Sequence, residues 1–113
     1  MAATLPKEER LSGKTAVASL VSKGRWGGVS HIKYCYTVSE DREINRILVS
    51  VPKKFFKRAV KRNLLKRRLR EAYRTQKDLL GRRGVDIMFV WSSPEIAPYD
   101  TVREEVAKII SSL

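Results

Sequence analysis

The segment from Val51 to Arg74 constrains this chain most, because it combines a helical pattern with charge of almost one sign. It contains eleven lysines and arginines and a single acid, Glu71. At 100° per residue, most of its polar side chains fall within an arc of roughly 140°, and its aliphatic side chains fall on the other side. One face could therefore be buried while the other presents cations one helical turn apart, roughly 5–6 Å. The aliphatic side consists of Leu65, Leu69 and Ala72, with Tyr73 at the border, and the polar arc consists of Arg62, Asn63, Lys66, Arg67, Arg70 and Arg74.

This charge pattern indicates a polyanionic partner. Eleven like charges repel one another unless an external anion neutralises them. A helix that is merely kept soluble by charge usually mixes Glu with Lys four residues apart, whereas Glu71 stands alone. An anionic membrane surface would favour large apolar residues along the whole opposite face, and this helix has few. We therefore favour nucleic acid over a membrane or a passive face, with the Asn63 amide able to bond a base edge or a 2′-hydroxyl.

The composition agrees with a single nucleic-acid-binding domain over residues 1–113. The net charge is +12 and the pI is about 10.3. The only cysteine, Cys35, cannot form an internal disulfide, which suits a reducing cytoplasm. No apolar stretch approaches the roughly 18–20 residues that span a bilayer, so we expect a soluble cytoplasmic protein without membrane contact. Residues 1–10 are expected to be flexible, although Leu5 and Pro6 could dock locally.

The periodicity predicts an α+β fold in the order α-β-β-β-α-β-α. This order corresponds to a two-layer α/β sandwich of three helices and a small mixed sheet of about four strands. The strands before and after the basic helix should be parallel neighbours. The predicted elements are a helix capped by Ser12 and ending near Ser22, a flexible connection at 25–28, strands at 31–39 and 44–51, the basic helix at about 58–79, a strand at 85–91 and a last helix capped by Thr101 with Glu104.

No self-contained catalytic or metal site is expected. His31 and Cys35 are the only residues of their types, so neither a dyad nor a metal cluster of the usual spacing is present. We interpret His31 as a strand-edge residue, Cys35 as a core residue and Asp86 as a structural ion-pair partner. Trp26 could stack on a base or cover the sheet edge. Alternation in the first predicted strand places Ile32, Tyr34, Tyr36 and Val38 on one face, and Lys33, Cys35 and Thr37 on the other.

The centre of the basic segment resembles the signature of the protein subunit of bacterial ribonuclease P. The run from Ala59 to Arg74 has an Ala-Val followed by Arg-Asn, then Lys-Arg, then a further Arg. The resemblance extends over nearly the full length, including the run Leu48 to Lys54 that leads into the signature. It implies a subunit that assists a large catalytic RNA in removing the 5′ leader of precursor tRNA. It also implies a left-handed crossover through the basic helix.

The resemblance further assigns the chemistry and the partners. A metal-activated water would hydrolyse the phosphodiester, with magnesium held by the RNA and none bound by the protein itself. The implied partners are the ribonuclease P RNA and precursor tRNA, with no obligate protein partner. The predicted RNA-binding residues are Lys53, Lys54, Arg58, Lys61, Arg62, Asn63, Lys66, Arg67, Arg70 and Arg74, and the predicted leader cleft consists of Val17, Val21, Tyr34 and Tyr36.

One departure from the family pattern concerns Val17 and Val21, where the family often has aromatic residues. Stacking on a base contributes roughly 1–3 kcal/mol, which valine cannot supply. Leader recognition would then depend on Tyr34, Tyr36 or charge. The alternatives are a ribosomal or other structural RNA-binding protein of similar fold, in which the Arg-Asn spacing is an accident, and a nuclease acting alone, which the lack of a catalytic constellation disfavours.

Overall fold

The computed structural model describes residues 5–113, which form three α-helices and one four-stranded mixed sheet. Two short 3-10 turns, Lys7–Glu9 and Lys77–Leu79, flank these elements. The α+β class and the element order predicted from sequence are confirmed. The elements are α1 (Lys14–Lys23), β1 (Arg25–Gly28), β2 (Ile32–Val38), β3 (Arg46–Ser50), α2 (Ala59–Arg74), β4 (Val85–Trp91) and α3 (Tyr99–Ser111).

The sheet has the strand order β1-β2-β4-β3. β1 and β4 both pair antiparallel with β2, while β3 pairs parallel with β4. The predicted parallel pairing across the basic helix is therefore confirmed, and its left-handed sense stays a prediction. β4 lies in the interior of the sheet and is almost entirely buried, which explains its nearly continuous apolar sequence.

The sheet is covered on both faces. Helices α2 and α3 pack on one face, the core face, over alternate residues of β4 such as Ile87 and Phe89. On the opposite face Leu20 of α1 packs with Leu11, Cys35 and Met88 in a smaller separate cluster. We call this second surface the α1 face. The three helices therefore do not share one layer, as a strict two-layer sandwich would require.

Several element boundaries differ from the predictions. The predicted flexible connection at 25–28 is strand β1. Helix α1 begins after Gly13, whose φ of 96° favours glycine, rather than after Ser12. Helix α2 ends at Arg74, and the chain turns at Gln76, whose buried side chain donates to the carbonyl of Arg103. Helix α3 begins at Tyr99, so the predicted cap at Thr101 lies inside its first turn.

The first residues of the described chain are packed against the sheet. Leu5 is 4% exposed, and the Arg10 side chain donates a hydrogen bond to its carbonyl. The Leu11 amide donates to the carbonyl of Ile47 in β3. The suggested docking of Leu5 is therefore confirmed, the flexibility of residues 5–10 stays a prediction, and residues 1–4 lie outside the described chain. Among the described helices, none is both long enough and apolar enough to cross a membrane.

Candidate nucleic-acid interface

Helix α2 separates buried aliphatic side chains from exposed cations as its pattern predicts. Leu65, Leu69 and Ala72 are fully buried against the core, and Tyr73 joins them. Burial, followed by the charge of Glu9, raises the pKa of the Tyr73 hydroxyl to about 12, so this side chain stays neutral at ordinary pH. On the other side of the helix, the exposed members of the predicted set are Asn63, Arg67 and Arg70; Lys61 is exposed in the first turn, four residues before Leu65.

Three predicted contact residues in the turn before α2 are also exposed. Lys53, Lys54 and Arg58 follow β3 and precede the first helical residue. The Lys54 ammonium lies over the ring of Phe55, 5.0 Å from its centroid, and Phe56 is buried in the core. The two phenylalanines thus anchor a turn whose cations face solvent. The basic surface therefore extends from this turn along α2.

Two cations of the predicted stripe have partners within the protein. The Arg62 Nη1 donates to the carbonyls of Phe56 and Lys57, at 2.7 and 2.8 Å, and so fixes the turn before α2. The Arg74 Nε lies 2.7 and 2.9 Å from the carboxylate oxygens of Glu71, one turn earlier in the helix. These two residues and Lys66 are only partly exposed. The structure therefore offers fewer free cations along the stripe than the helical wheel predicts.

The predicted leader cleft is not assembled as a single surface. Val21 is 41% exposed and Val17 half-buried on α1, which packs on the α1 face. Tyr34 and Tyr36 pack against the core cluster, on the opposite face of the sheet. The grouping of these four residues in one cleft is therefore wrong, because strand alternation points both tyrosines away from α1. On the α1 face, β2 instead presents Lys33, Cys35 and Thr37.

The α1 face contains an open row of residues that the sequence analysis did not single out as a site. Ser50, Val90, Lys33 and Gly28 are register partners across β3, β4, β2 and β1. Lys33 and Gly28 are exposed, and Ser50 and Val90 are half-buried. At the β3 edge, the exposed Arg70 lines a cavity of ≈150 Å³ together with Leu11 and Leu48. The basic face of α2 is thereby continuous with the α1 face of the sheet. The alternation of side chains along β2 could have identified Lys33 from the sequence as a residue of this face.

The remaining candidate residues have structural roles. Cys35 is fully buried, and its Sγ lies 3.3 Å from the carbonyl of Leu20. The His31 Nδ1 lies 2.6 Å from the Glu105 carboxylate, and its ring stacks on Trp91 at 5.3 Å. Asp86 accepts two hydrogen bonds of 2.8 Å from Arg46. In residues 5–113, no three or more His, Cys, Asp or Glu side chains are grouped so that they could hold a metal ion.

Comparison with known proteins identifies the family. The ribonuclease P family model matches residues 5–113. The ribonuclease P protein component of Porphyromonas gingivalis strain W83 is 35% identical, with the alignment covering 92% of this chain and 82% of that protein. This chain belongs to the ribonuclease P protein family. The Ralstonia pickettii protein component is 34% identical, over 92% of this chain and 78% of its own length.

Solved structures of ribonuclease P proteins share this fold. The Thermotoga maritima protein has a TM-score of 0.82 at 24% identity, covering 93% of this chain and 97% of that one. The Staphylococcus aureus protein has a TM-score of 0.79 at 19% identity, covering 92% and 93%. The identification as a protein component of the endoribonuclease ribonuclease P is confirmed, and a ribosomal protein is not favoured. The roles of individual residues at the interface stay predictions.

Proposed function

We propose that this chain binds the catalytic RNA of ribonuclease P and the 5′ leader of precursor tRNA, and so assists removal of the leader. The observation that carries this proposal is the exposed polar face of α2, where Asn63, Arg67 and Arg70 lie opposite a fully buried apolar face. A helix fixed in this way presents its cations at a constant spacing. Cations at a constant spacing can contact successive phosphates of an RNA backbone at fixed positions, which a diffuse attraction between charges does not require.

In this proposal the protein contributes charge and shape, and the RNA contributes the chemistry. Magnesium ions held by the RNA would activate the attacking water, as the family resemblance implies. Bringing an RNA leader close to a folded RNA brings phosphates together, which is unfavourable without cations. Exposed lysines and arginines can neutralise part of this charge, so less free magnesium should be needed. Asn63 adds a directed hydrogen bond that a bare cation does not provide.

A reconstitution experiment tests the function directly. We expect carefully RNA-free protein to leave precursor tRNA intact. Added to the ribonuclease P RNA, it should restore cleavage at a magnesium concentration at which the RNA alone is slow. Cleavage by the RNA-free protein, or no effect of the protein at any magnesium concentration, would contradict the proposal.

A matched pair of variants separates the basic face from the rest of the surface. Arg67→Ala should raise the magnesium concentration needed for half-maximal cleavage, because it removes an exposed cation from α2. Arg103→Ala removes an exposed cation from α3 and should behave like wild type. Equal effects of both substitutions would indicate a general charge effect rather than binding through α2. We also propose a cytoplasmic location, which the single free thiol of Cys35 suits.

A further inference from the structure

Trp26 is an exposed aromatic residue whose direction is fixed by the pairing of β1. Its register partner is Cys35, so its side chain lies on the α1 face of the sheet. The next residue, Gly27, pairs with Tyr34, and a Cβ at Gly27 would lie 2.5 Å from the Tyr34 ring. The tyrosine ring therefore occupies the space on the core side of Gly27. If β1 were turned over, the Trp26 side chain would point to the core side of the sheet and collide with the Tyr34 ring. Trp26 therefore remains on the α1 face.

The core of the protein does not account for this tryptophan. Trp26 is 52% exposed, whereas the other tryptophan, Trp91, is fully buried. The cluster beneath α1 is formed by Leu11, Leu20, Cys35 and Met88, with Ala16, Leu48 and Val90 packed against it. Trp26 belongs neither to this cluster nor to the main core. A large indole held half in water at a fixed position is a suitable stacking surface for a planar ligand.

The charge around Trp26 favours an anionic ligand. From Arg10 to Ser39 the chain has five cations and no acid. Lys33 is exposed on the α1 face of the neighbouring strand, and the exposed Arg25 adds charge at the same edge strand, although its pairing with Tyr36 directs it to the other face. A polyanion with planar bases matches both the cations and the indole, whereas an apolar protein partner would match the indole alone.

The position of Trp26 is continuous with the proposed interface. The row Ser50, Val90, Lys33 and Gly28 crosses the α1 face from the β3 edge to β1. With a strand spacing of about 4.8 Å, the four strands span about 14 Å from the first to the last. An extended single strand that contacts Arg70 at the β3 edge could therefore reach Trp26 within a few nucleotides.

We propose that Trp26 stacks on a base of the single-stranded 5′ leader of precursor tRNA, at the β1 edge of the α1 face. In this role it supplies the aromatic contact that Val17 and Val21 cannot provide. The inference rests on the proposed function, because it assumes that the leader crosses this face. It assigns Trp26 to leader binding and not to the reaction itself.

Affinity measurements on the reconstituted holoenzyme test this role. Precursor tRNAs with leaders of increasing length, and mature tRNA, are titrated against wild type, Trp26→Ala and Trp26→Phe. Trp26→Ala should bind long-leader precursor about 5- to 150-fold more weakly. It should bind mature tRNA and the shortest leaders like wild type. Trp26→Phe should recover most of the affinity because it retains a ring. Val38→Ala, at an apolar residue 42% exposed at the C-terminal end of β2, serves as the control and should have no effect.

Fluorescence gives a second readout on the same complex. Because Trp91 is buried, quenching of emission by a bound leader should come from Trp26 and should be absent in Trp26→Phe. A lower melting temperature of Trp26→Ala with unchanged leader affinity would overturn the proposal and assign Trp26 to shielding the sheet edge. Equal weakening of precursor and mature tRNA would overturn it too. Arg67→Ala distinguishes failure of the proposed RNA-binding function from failure of the stacking role of Trp26 alone. If it weakens binding and Trp26→Ala does not, only the stacking role fails.

Discussion

Arg62 and Asn63 are neighbours in α2 with different surroundings. Arg62 donates to two backbone carbonyls of the preceding turn, whereas the Asn63 side chain is exposed to solvent. Arg62 therefore has a structural role, because it fixes the turn that carries Lys53, Lys54 and Arg58. Asn63 is the better probe of RNA recognition, since its removal changes neither the charge nor a described internal contact.

We expect Asn63→Ala to weaken holoenzyme formation by about 1–2 kcal/mol, the scale of a directed hydrogen bond to a charged or polar group. Its melting temperature should equal that of wild type. The dependence of affinity on salt should also be unchanged, because no cation is lost. Binding titrations at three salt concentrations check both points. Wild-type affinity of this variant would reduce α2 to a purely electrostatic surface.

Asp86 and its two arginines form an ion-pair cluster at the start of the interior strand β4. Arg46 contacts both carboxylate oxygens at 2.8 Å, and Arg42 lies 2.9 Å from one of them. Burial alone would raise the pKa of Asp86, but the hydrogen bonds from Arg46 and the ion pair with Arg42 outweigh it and lower the pKa below its usual range. A carboxyl whose pKa is lowered on folding stabilises the protein above its unfolded-state pKa, about 4.

This stabilisation should be lost as the pH falls through the native pKa of Asp86. Asp86→Asn should unfold about 3 kcal/mol more easily at pH 7, because it leaves two arginines without their anion. The difference between the two proteins should be full above about pH 4 and should shrink at lower pH, as the wild-type carboxyl becomes protonated. Urea unfolding across this range measures it. A difference independent of pH would rule out the ion pair as its source.

At the scale of elements, α2 combines stability and binding on opposite sides. Leu69 is fully buried in the core and Arg67 is exposed. Leu69→Ala should lower the free energy of unfolding by about 2–5 kcal/mol through a cavity, while RNA affinity well below the melting temperature stays near that of wild type. Arg67→Ala should weaken RNA binding by about 1–2 kcal/mol and leave the melting temperature unchanged. Circular-dichroism melts and binding titrations test these two expectations. A variant that lowers both the melting temperature and the RNA affinity would contradict the separation of stability and binding on α2.

Local pattern predicts the helices and the interior strands of this protein but not β1. Strand β4 was predicted at its observed bounds because a short apolar run has few other interpretations. β1 contains Trp26, Gly27 and Gly28, and paired glycines resemble a loop. It becomes a strand because β2 supplies its hydrogen bonds and Tyr34 packs over Gly27. Both contributions come from outside the segment, so its own sequence does not show them.

The same limit applies to the candidate site. The polar side of α2 follows from its 3.6-residue period, since that pattern is local. Alternation also grouped Tyr34 with Tyr36 correctly. It did not reveal which face of the sheet α1 would cover, because that depends on contacts between distant residues, such as Leu20 with Cys35. Tertiary contacts likewise decide that Arg62 bonds the preceding turn while Arg67 is exposed to solvent.

For the whole molecule, the balance of charge sets the response to salt. If about six phosphates of a single-stranded RNA are neutralised, log affinity should fall with log salt at a slope of about −4, from roughly −0.7 per phosphate. Arg67→Ala should make this slope shallower by about 0.7, and Trp26→Ala should not change it. Titrations between low and moderate salt test both. A wild-type slope shallower than about −1.5 would mean that the basic face is not where RNA binds.

The bridge between Arg10 and Ile47 has a consequence for the RNA-free protein in solution. β3 is an outer strand of the sheet, and the segment around Arg10 occupies part of its open side. An uncovered strand edge can pair with another chain. We therefore expect deletion of residues 1–10 to cause concentration-dependent self-association, measurable by sedimentation, while the full chain stays monomeric. Catalytic RNA added before concentrating should suppress this association if coating by a polyanion keeps truncated molecules apart.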